Sequence, residues 1–191
     1  LFIQAAVNSF DSTMVSGNAA AANTDTIIYN IMMAFYTACS TFMGQNWGAG
    51  HKKRMMDSYL ISLFYAFAVA AVLGVAFYFA GRPFLYVFTN SADVVEAGMQ
   101  RMKIMCFSYA ISAFMDNTIA ACRGLGRTIV PTVVVIMGSC VFRVIWVYTI
   151  FAYFHTIPSL YLLYVFSWSI TAVAEILYFI RIYRQKMALL S

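Results

Sequence analysis

Three stretches without a single Asp, Glu, Lys or Arg constrain this chain more than any other feature. They are residues 26–50, residues 58–81 and residues 144–174, the last carrying only His155 as an ionisable base. Each exceeds the roughly 20 mostly apolar residues that a helix needs to cross the hydrocarbon of a bilayer. The 191 residues are 63% hydrophobic and 10% charged, with a mean hydropathy of +0.78. A soluble domain is about 45–50% apolar and about 25% charged, so a water-soluble fold of this size could not hide that surface. The fold class expected is all-α: a polytopic membrane helix bundle with about five full transmembrane helices plus a truncated one.

Residues 1–10 are too short to cross and read as the end of a truncated helix. Several apolar runs are present rather than one, which excludes a signal peptide. Residue 1 is Leu, so the chain is expected to begin inside something longer. The full spans are expected at about 13–47, 57–80, 92–122, 129–153 and 158–183. Asn90-Ser91-Ala92-Asp93 reads as a capping signal for the fourth helix. "PFLYVF" (83–88) reads either as a short interfacial helix, its rings at headgroup depth, or as a packed loop.

The basic residues orient the spans. Lys52, Lys53 and Arg54 fall in loop 48–56, Arg123 and Arg127 in loop 122–128, and Arg181, Arg184 and Lys186 in the tail. These regions lie two spans apart, hence on one side, and hold eight of the twelve basic residues. The positive-inside rule makes that side cytoplasmic, C-terminus included. Arg82 falls on the other side with Asp11, Asp93 and Glu96, and Arg101 and Lys103 are placed in the first turns of the fourth helix. The net charge of +5 is spread between apolar runs, without the basic face of a nucleic-acid binder. Cys39, Cys106, Cys122 and Cys140 form no C-x-x-C pair, and two histidines cannot build a multi-His metal site.

"GQNWGAGHKKR" (44–54) brings three glycines and a basic cluster together at a span end. A phosphate-cradling loop needs G-x-x-x-x-G-K-[S/T] after a strand. Here the glycine spacing is wrong, no Ser or Thr follows Lys, and a helix precedes. The glycines can instead end a helix, turn the chain, or let two backbones approach.

The residues also resemble a known family. "STFMGQNWGAGHKKR" (40–54) is similar to the T-F-x-G-Q-N-x-G-A-G loop, followed by basic residues, of multidrug and toxic compound extrusion (MATE) transporters. "VNSF" (7–10), "GNAAAANTDTIIYNIMMAFYTA" (17–38) and "FTNSADVVEAGMQRMKI" (88–104) resemble their DinF-like bacterial branch. "CRGLGRTIVPTVV" (122–134) resembles the L-R-G-x-G-x-[S/T]-x-x-P loop, with Cys122 where Leu is usual, and "FRVIWVY" (142–148) the helix after it. The resemblance implies twelve spans in two lobes, of which residues 1–191 would be the C-terminal one, helices seven (partial) to twelve. It implies a missing N-terminal lobe as partner, a multi-pass place in the bacterial inner membrane, and export of small cationic or amphipathic drugs. Inward sodium or proton movement would drive that export, with no other cofactor.

Ionisable groups inside hydrocarbon are costly and usually face a cavity or a partner. Asp116 lies seven residues before Arg123, with Asn117, Thr118 and Ser112 as nearby oxygen donors. It reads as a cation-coupling or substrate carboxylate, taking Na+ or a proton, against a structural ion pair with a basic residue of another helix. The family carries an acidic residue on this helix that takes part in coupling or substrate binding. Asp25, among Asn23, Thr24, Thr26 and Asn30, reads equally as a cleft carboxylate meeting cationic drugs or as a helix-start or interface residue. Asp25, Tyr29, Met32 and Tyr36 follow i, i+4, i+7, i+11 on one helix face. With Met33 and Phe35 they suit a plastic, cation-attracting pocket, although packing or lipid contact is the commoner use of such residues. Glu175 is expected to snorkel or pair near the inner end, and Arg143 to pair or snorkel outward.

A lipid-linked saccharide flippase is the alternative transporter. It would need several basic residues in the cavity to hold pyrophosphate, and Arg143 is the one this reading supplies. A membrane enzyme would need a nucleophile with its base, or a metal cluster, at membrane depth. His51 in a loop and His155 near the outer surface do not provide it. A non-transporting structural fragment is the remaining reading.

Overall fold

The computed structural model describes residues 2–189. Its elements are α1 (Phe2–Val7), α2 (Ser12–Gly48), α3 (Lys52–Tyr86), α4 (Ala92–Gly124), α5 (Ile129–Phe154) and α6 (Ile157–Leu189). Five of them, α2 to α6, are long and apolar enough to cross a membrane. The turns between these five are short, so consecutive helices run antiparallel and α2, α4 and α6 share a direction.

Local chemistry marks the starts. The Asp11 carboxylate accepts from the Met14 N–H at 2.8 Å and caps α2. Ser91 caps α4 by accepting from Val94 N–H, and Asp93 sits in the first turn, where the helix dipole favours a negative charge. α1 is the expected short remnant, packed against α2, α5 and α6.

α4 is the centre of the bundle, packing on α2, α3 and α6. Its buried positions run from Val95 to Cys122, while α3 turns Phe64, Val72 and Phe79 outward. This inside-out distribution is what a bilayer, rather than water, tolerates around a helix bundle.

Parallel α2 and α4 approach closely at two levels. A Cβ on Gly17 would lie 2.7 Å from the Gly98 nitrogen, and one on Gly44 would lie 3.2 Å from the Gly124 carbonyl oxygen. Small residues let backbones meet where no hydrophobic force between helices is available. The glycines of 44–50 thus have separate tasks. Gly44 admits α4, Gly48 ends α2, and Gly50 turns the chain at φ +71.

α3 departs from the expected bounds, starting before 57 and ending after 80. Lys52, Lys53 and Arg54 therefore form its first turn, and Pro83 lies inside it. Residues 83–86 are neither a separate interfacial helix nor a loop but the last turn of α3. Continuation is worthwhile because Leu85 is fully buried and Phe84 meets Phe77 edge-on at 5.1 Å, which offsets the backbone bond that proline lacks. Arg82, read from sequence as lying between spans, is helical just before this turn and pairs with Glu96 at 2.5 Å, both exposed.

α5 is α-helical except for wider π turns at Ile136–Val141 and Val147–Phe151. A π turn lengthens the hydrogen-bonded ring and loosens local carbonyls. At Gly138 the carbonyl oxygen accepts from the Ser167 hydroxyl of α6 at 2.8 Å.

Candidate functional site

The register set by the glycine contacts places Asp25 level with Met105 of α4. One turn to either side on α4, Arg101 and Tyr109 converge on it. Arg101 pairs with the Asp25 carboxylate, and the Tyr109 hydroxyl donates to its other oxygen. A second Arg101 N–H donates to the Asn18 carbonyl at 2.9 Å, and the guanidinium lies 5.7 Å from the Tyr161 ring centre. Tyr161 in turn donates its hydroxyl to Asn18 Oδ1 at 2.8 Å. Five polar residues of α2, α4 and α6, spread over about two helix turns, are thus tied into one network.

This overturns part of the sequence reading. Asp25 lies 13 residues beyond the start of α2, roughly 20 Å along it, so it is not a helix-start residue. Arg101 is not an end-of-helix charge either, because its side chain is 6% exposed against 33% for Asp25. The periodic pattern did carry a signal. Arg101, Met105, Ser108 and Ser112 share one face of α4, and that face is buried.

Two cavities run along the groove between α2 and α4. The upper one, of about 370 Å³, is lined by Asp25, Tyr29, Met32, Tyr109, Asp116 and Trp168 among others. The second, also about 370 Å³, continues toward the basic loops past Tyr29, Met33, Tyr36, Thr37, Asp116 and Arg123. Tyr29 and Asp116 line both. The expected face of α2 is therefore assembled as a wall, with Tyr36 buried and Tyr29 exposed. Among the described residues the Asp116 carboxylate makes no salt bridge, which sets it apart from Asp25.

Other candidates are not brought to the groove. Asn117 follows Asp116 but points about 100° away around the helix. It is fully buried toward α3, where its amide donates to the Tyr59 carbonyl at 3.3 Å. Thr118 faces the same way and meets the Tyr59 hydroxyl at 2.9 Å. Neither is a ligand for an ion at Asp116. Ser112 does line the upper cavity, as does Thr26, while Asn23 bonds back to its own helix and Asn30 is exposed. Thr24 is buried.

Arg143 does not snorkel outward, and among the described residues it pairs with no carboxylate. It donates to Ser167 Oγ at 3.0 Å and lies 4.5 Å from the Tyr164 ring centre and 5.7 Å from that of Trp168. Both rings line the upper cavity, so this cation backs its wall.

Glu175 does not snorkel, nor does it pair with any of the described residues. It is 0% exposed, and neither carboxylate oxygen has a hydrogen-bond partner. A buried group without partners costs about 1–3 kcal/mol, more when charged. Glu175→Leu is accordingly expected to raise the thermal unfolding midpoint by a few degrees, read by tryptophan fluorescence on heating.

Comparison with known proteins agrees with this architecture. The MatE family model matches residues 1–149. A curated relative, Protein DETOXIFICATION 8 of Arabidopsis thaliana, is 26% identical over 98 residues, covering 51% of this chain and 20% of the relative. Probable multidrug resistance protein YpnP of Bacillus subtilis (strain 168) is 31% identical over 107 residues, covering 56% and 24%. A solved MOP superfamily transporter from Pyrococcus furiosus, described as having a binding pocket of reverse polarity, superposes with a TM-score of 0.87 at 16% identity. It is covered to 42%, against 97% of this chain. An outward-facing multidrug resistance MATE family transporter gives 0.86 at 17% identity with the same coverage, and an inward-facing one gives 0.71 at 16%, covering 91% of this chain and 44% of that one. The chain thus spans less than half of the solved transporters and about a quarter or less of the two curated relatives. With its family model matched over most of its length and its helices superposing on solved members, this chain belongs to the MatE family of multidrug and toxic compound extrusion transporters.

Proposed function

We propose that residues 1–191 act as the C-terminal lobe of a cation-coupled exporter of small cationic or amphipathic compounds. Asp116 carries this reading. Among the described residues it makes no salt bridge, and it stands at the junction of two cavities walled by Tyr29, Tyr36, Met32 and Trp168. Rings and thioethers accept varied apolar bodies, and the carboxylate attracts the charge. The coupling species is sodium or a proton, competing with the exported cation for that carboxylate. A second, N-terminal lobe would close the groove. The basic loops and the C-terminus would face the cytoplasm of a bacterial cell.

The flippase reading gains one residue, since Arg101 joins Arg143 beside the cavity. Both are engaged, Arg101 by Asp25 and Arg143 by Ser167 and two ring faces, so neither offers a free fork to pyrophosphate.

The test is reconstitution of the full transporter containing this lobe into liposomes, with ethidium efflux followed under an imposed sodium or pH gradient. Gradient-dependent efflux supports the proposal and identifies the coupling ion. No response of ethidium to either gradient would overturn it.

A further inference from the structure

The groove carries two carboxylates in opposite situations. Asp25 is already answered by an internal cation, because Arg101 pairs with it while lying almost wholly inside the bundle. Asn18 and Tyr161 hold that guanidinium in place, through the carbonyl bond at 2.9 Å and the ring face at 5.7 Å. For a substrate to take Asp25, Arg101 would be left buried with its charge uncompensated, which is strongly unfavourable. Among the described residues Asp116 has no such occupant. A second cation, Arg143, stands 4.5 Å behind the Tyr164 ring that lines the same cavity.

We infer that Arg101 sets the charge class of the substrate: it fills Asp25 from within, so this lobe engages singly charged cations through Asp116 and disfavours dications. The inference rests on the export reading above and deepens it. The apolar body would lie against Tyr29, Met32 and Trp168, which line the upper cavity together with both carboxylates. A second positive group, instead of finding Asp25, would meet a neutralised ion pair and the field of Arg143.

Ethidium and propidium share a phenanthridinium ring and differ by one permanent positive charge, so their affinity ratio reads this property. It is measured by fluorescence on the purified full transporter, whose other lobe is common to every variant and cancels in the comparison. Arg101→Gln frees Asp25 and is expected to raise propidium affinity relative to ethidium by about tenfold, the effect of one added attraction across a partly hydrated site. The double variant Asp25→Asn/Arg101→Gln removes both charges and is expected to return the wild-type ratio. An unchanged ratio in folded Arg101→Gln would overturn the inference while leaving export intact. A shifted ratio in the double variant would overturn it as well, even if the single variant did not fold. Wild type that binds neither dye would sink the export reading itself, and this inference with it.

Discussion

Gly17→Leu is expected to cost the bundle about 3 kcal/mol or more and to lower its melting midpoint by roughly 10 °C. The reason is backbone, not side chain. A Cβ at position 17 would lie 2.7 Å from the Gly98 nitrogen, 2.7 Å from the Val94 carbonyl oxygen and 2.8 Å from the Ala97 Cβ. None of these can rotate away, so α2 and α4 would have to separate. The same holds at the other end, where a Cβ on Gly124 would lie 2.7 Å from that of Met43. Separation would also pull Asp25 from Arg101, since these two helices carry the pair. Gly48 is the control. A Cβ there meets nothing within 4 Å, so Gly48→Ala should be neutral or slightly stabilising. Size-exclusion profiles after graded heating distinguish the outcomes. Equal melting of Gly17→Leu and Gly48→Ala would show that the close approach of α2 and α4 does not hold the fold.

The second large effect concerns the buried ion pair, and it should be unequal. Asp25→Asn leaves Arg101 charged and 6% exposed, and breaking a buried pair from one side costs about 3–5 kcal/mol. Arg101→Gln leaves Asp25, which is 33% exposed and still holds the Tyr109 hydroxyl, so water and that bond relieve much of the penalty. Removing both charges together should recover part of the loss. Thermal unfolding of the two single variants and the double variant measures the coupling. Equal losses would contradict the predicted inequality, and a double variant that is the sum of the singles would show that the pair does not act as a unit.

Much of this architecture was legible before any coordinates. The charge-free stretches located the spans because a charge inside hydrocarbon is expensive, and Asn90-Ser91-Ala92-Asp93 marked the start of α4 because exposed backbone N–H groups need acceptors, whereas the Asp11 cap of α2 emerged only from the structure. The Asp25, Tyr29, Met32 and Tyr36 face was legible from helical periodicity alone, and the two cavities lie along it. What was not legible depends on partners far apart in the chain. Arg101 looked like an outer-end charge, and only the parallel register of α2 and α4 reveals that it reaches Asp25. Asn117 looked like a companion of Asp116 because it is adjacent in sequence, but adjacent residues of a helix do not face the same way. Pro83 looked like the opening of a short interfacial helix or a packed loop, since its local preference gives no sign that the buried Leu85 draws α3 onward. The π turns of α5 have no local signature of this kind. The Gly138 carbonyl within the first of them accepts from Ser167, which is 29 residues away.

Asp116 carries the central claim. The most direct measurement is ethidium binding and gradient-driven ethidium efflux by the full transporter, in wild type and in Asp116→Asn. Loss of a charge-assisted contact in a partly buried site amounts to about 1.5–3 kcal/mol, so affinity and efflux should fall about ten- to hundredfold with the fold intact. Asp116→Asn that binds and exports ethidium as wild type does would contradict the account and remove the groove between α2 and α4 from the transport path.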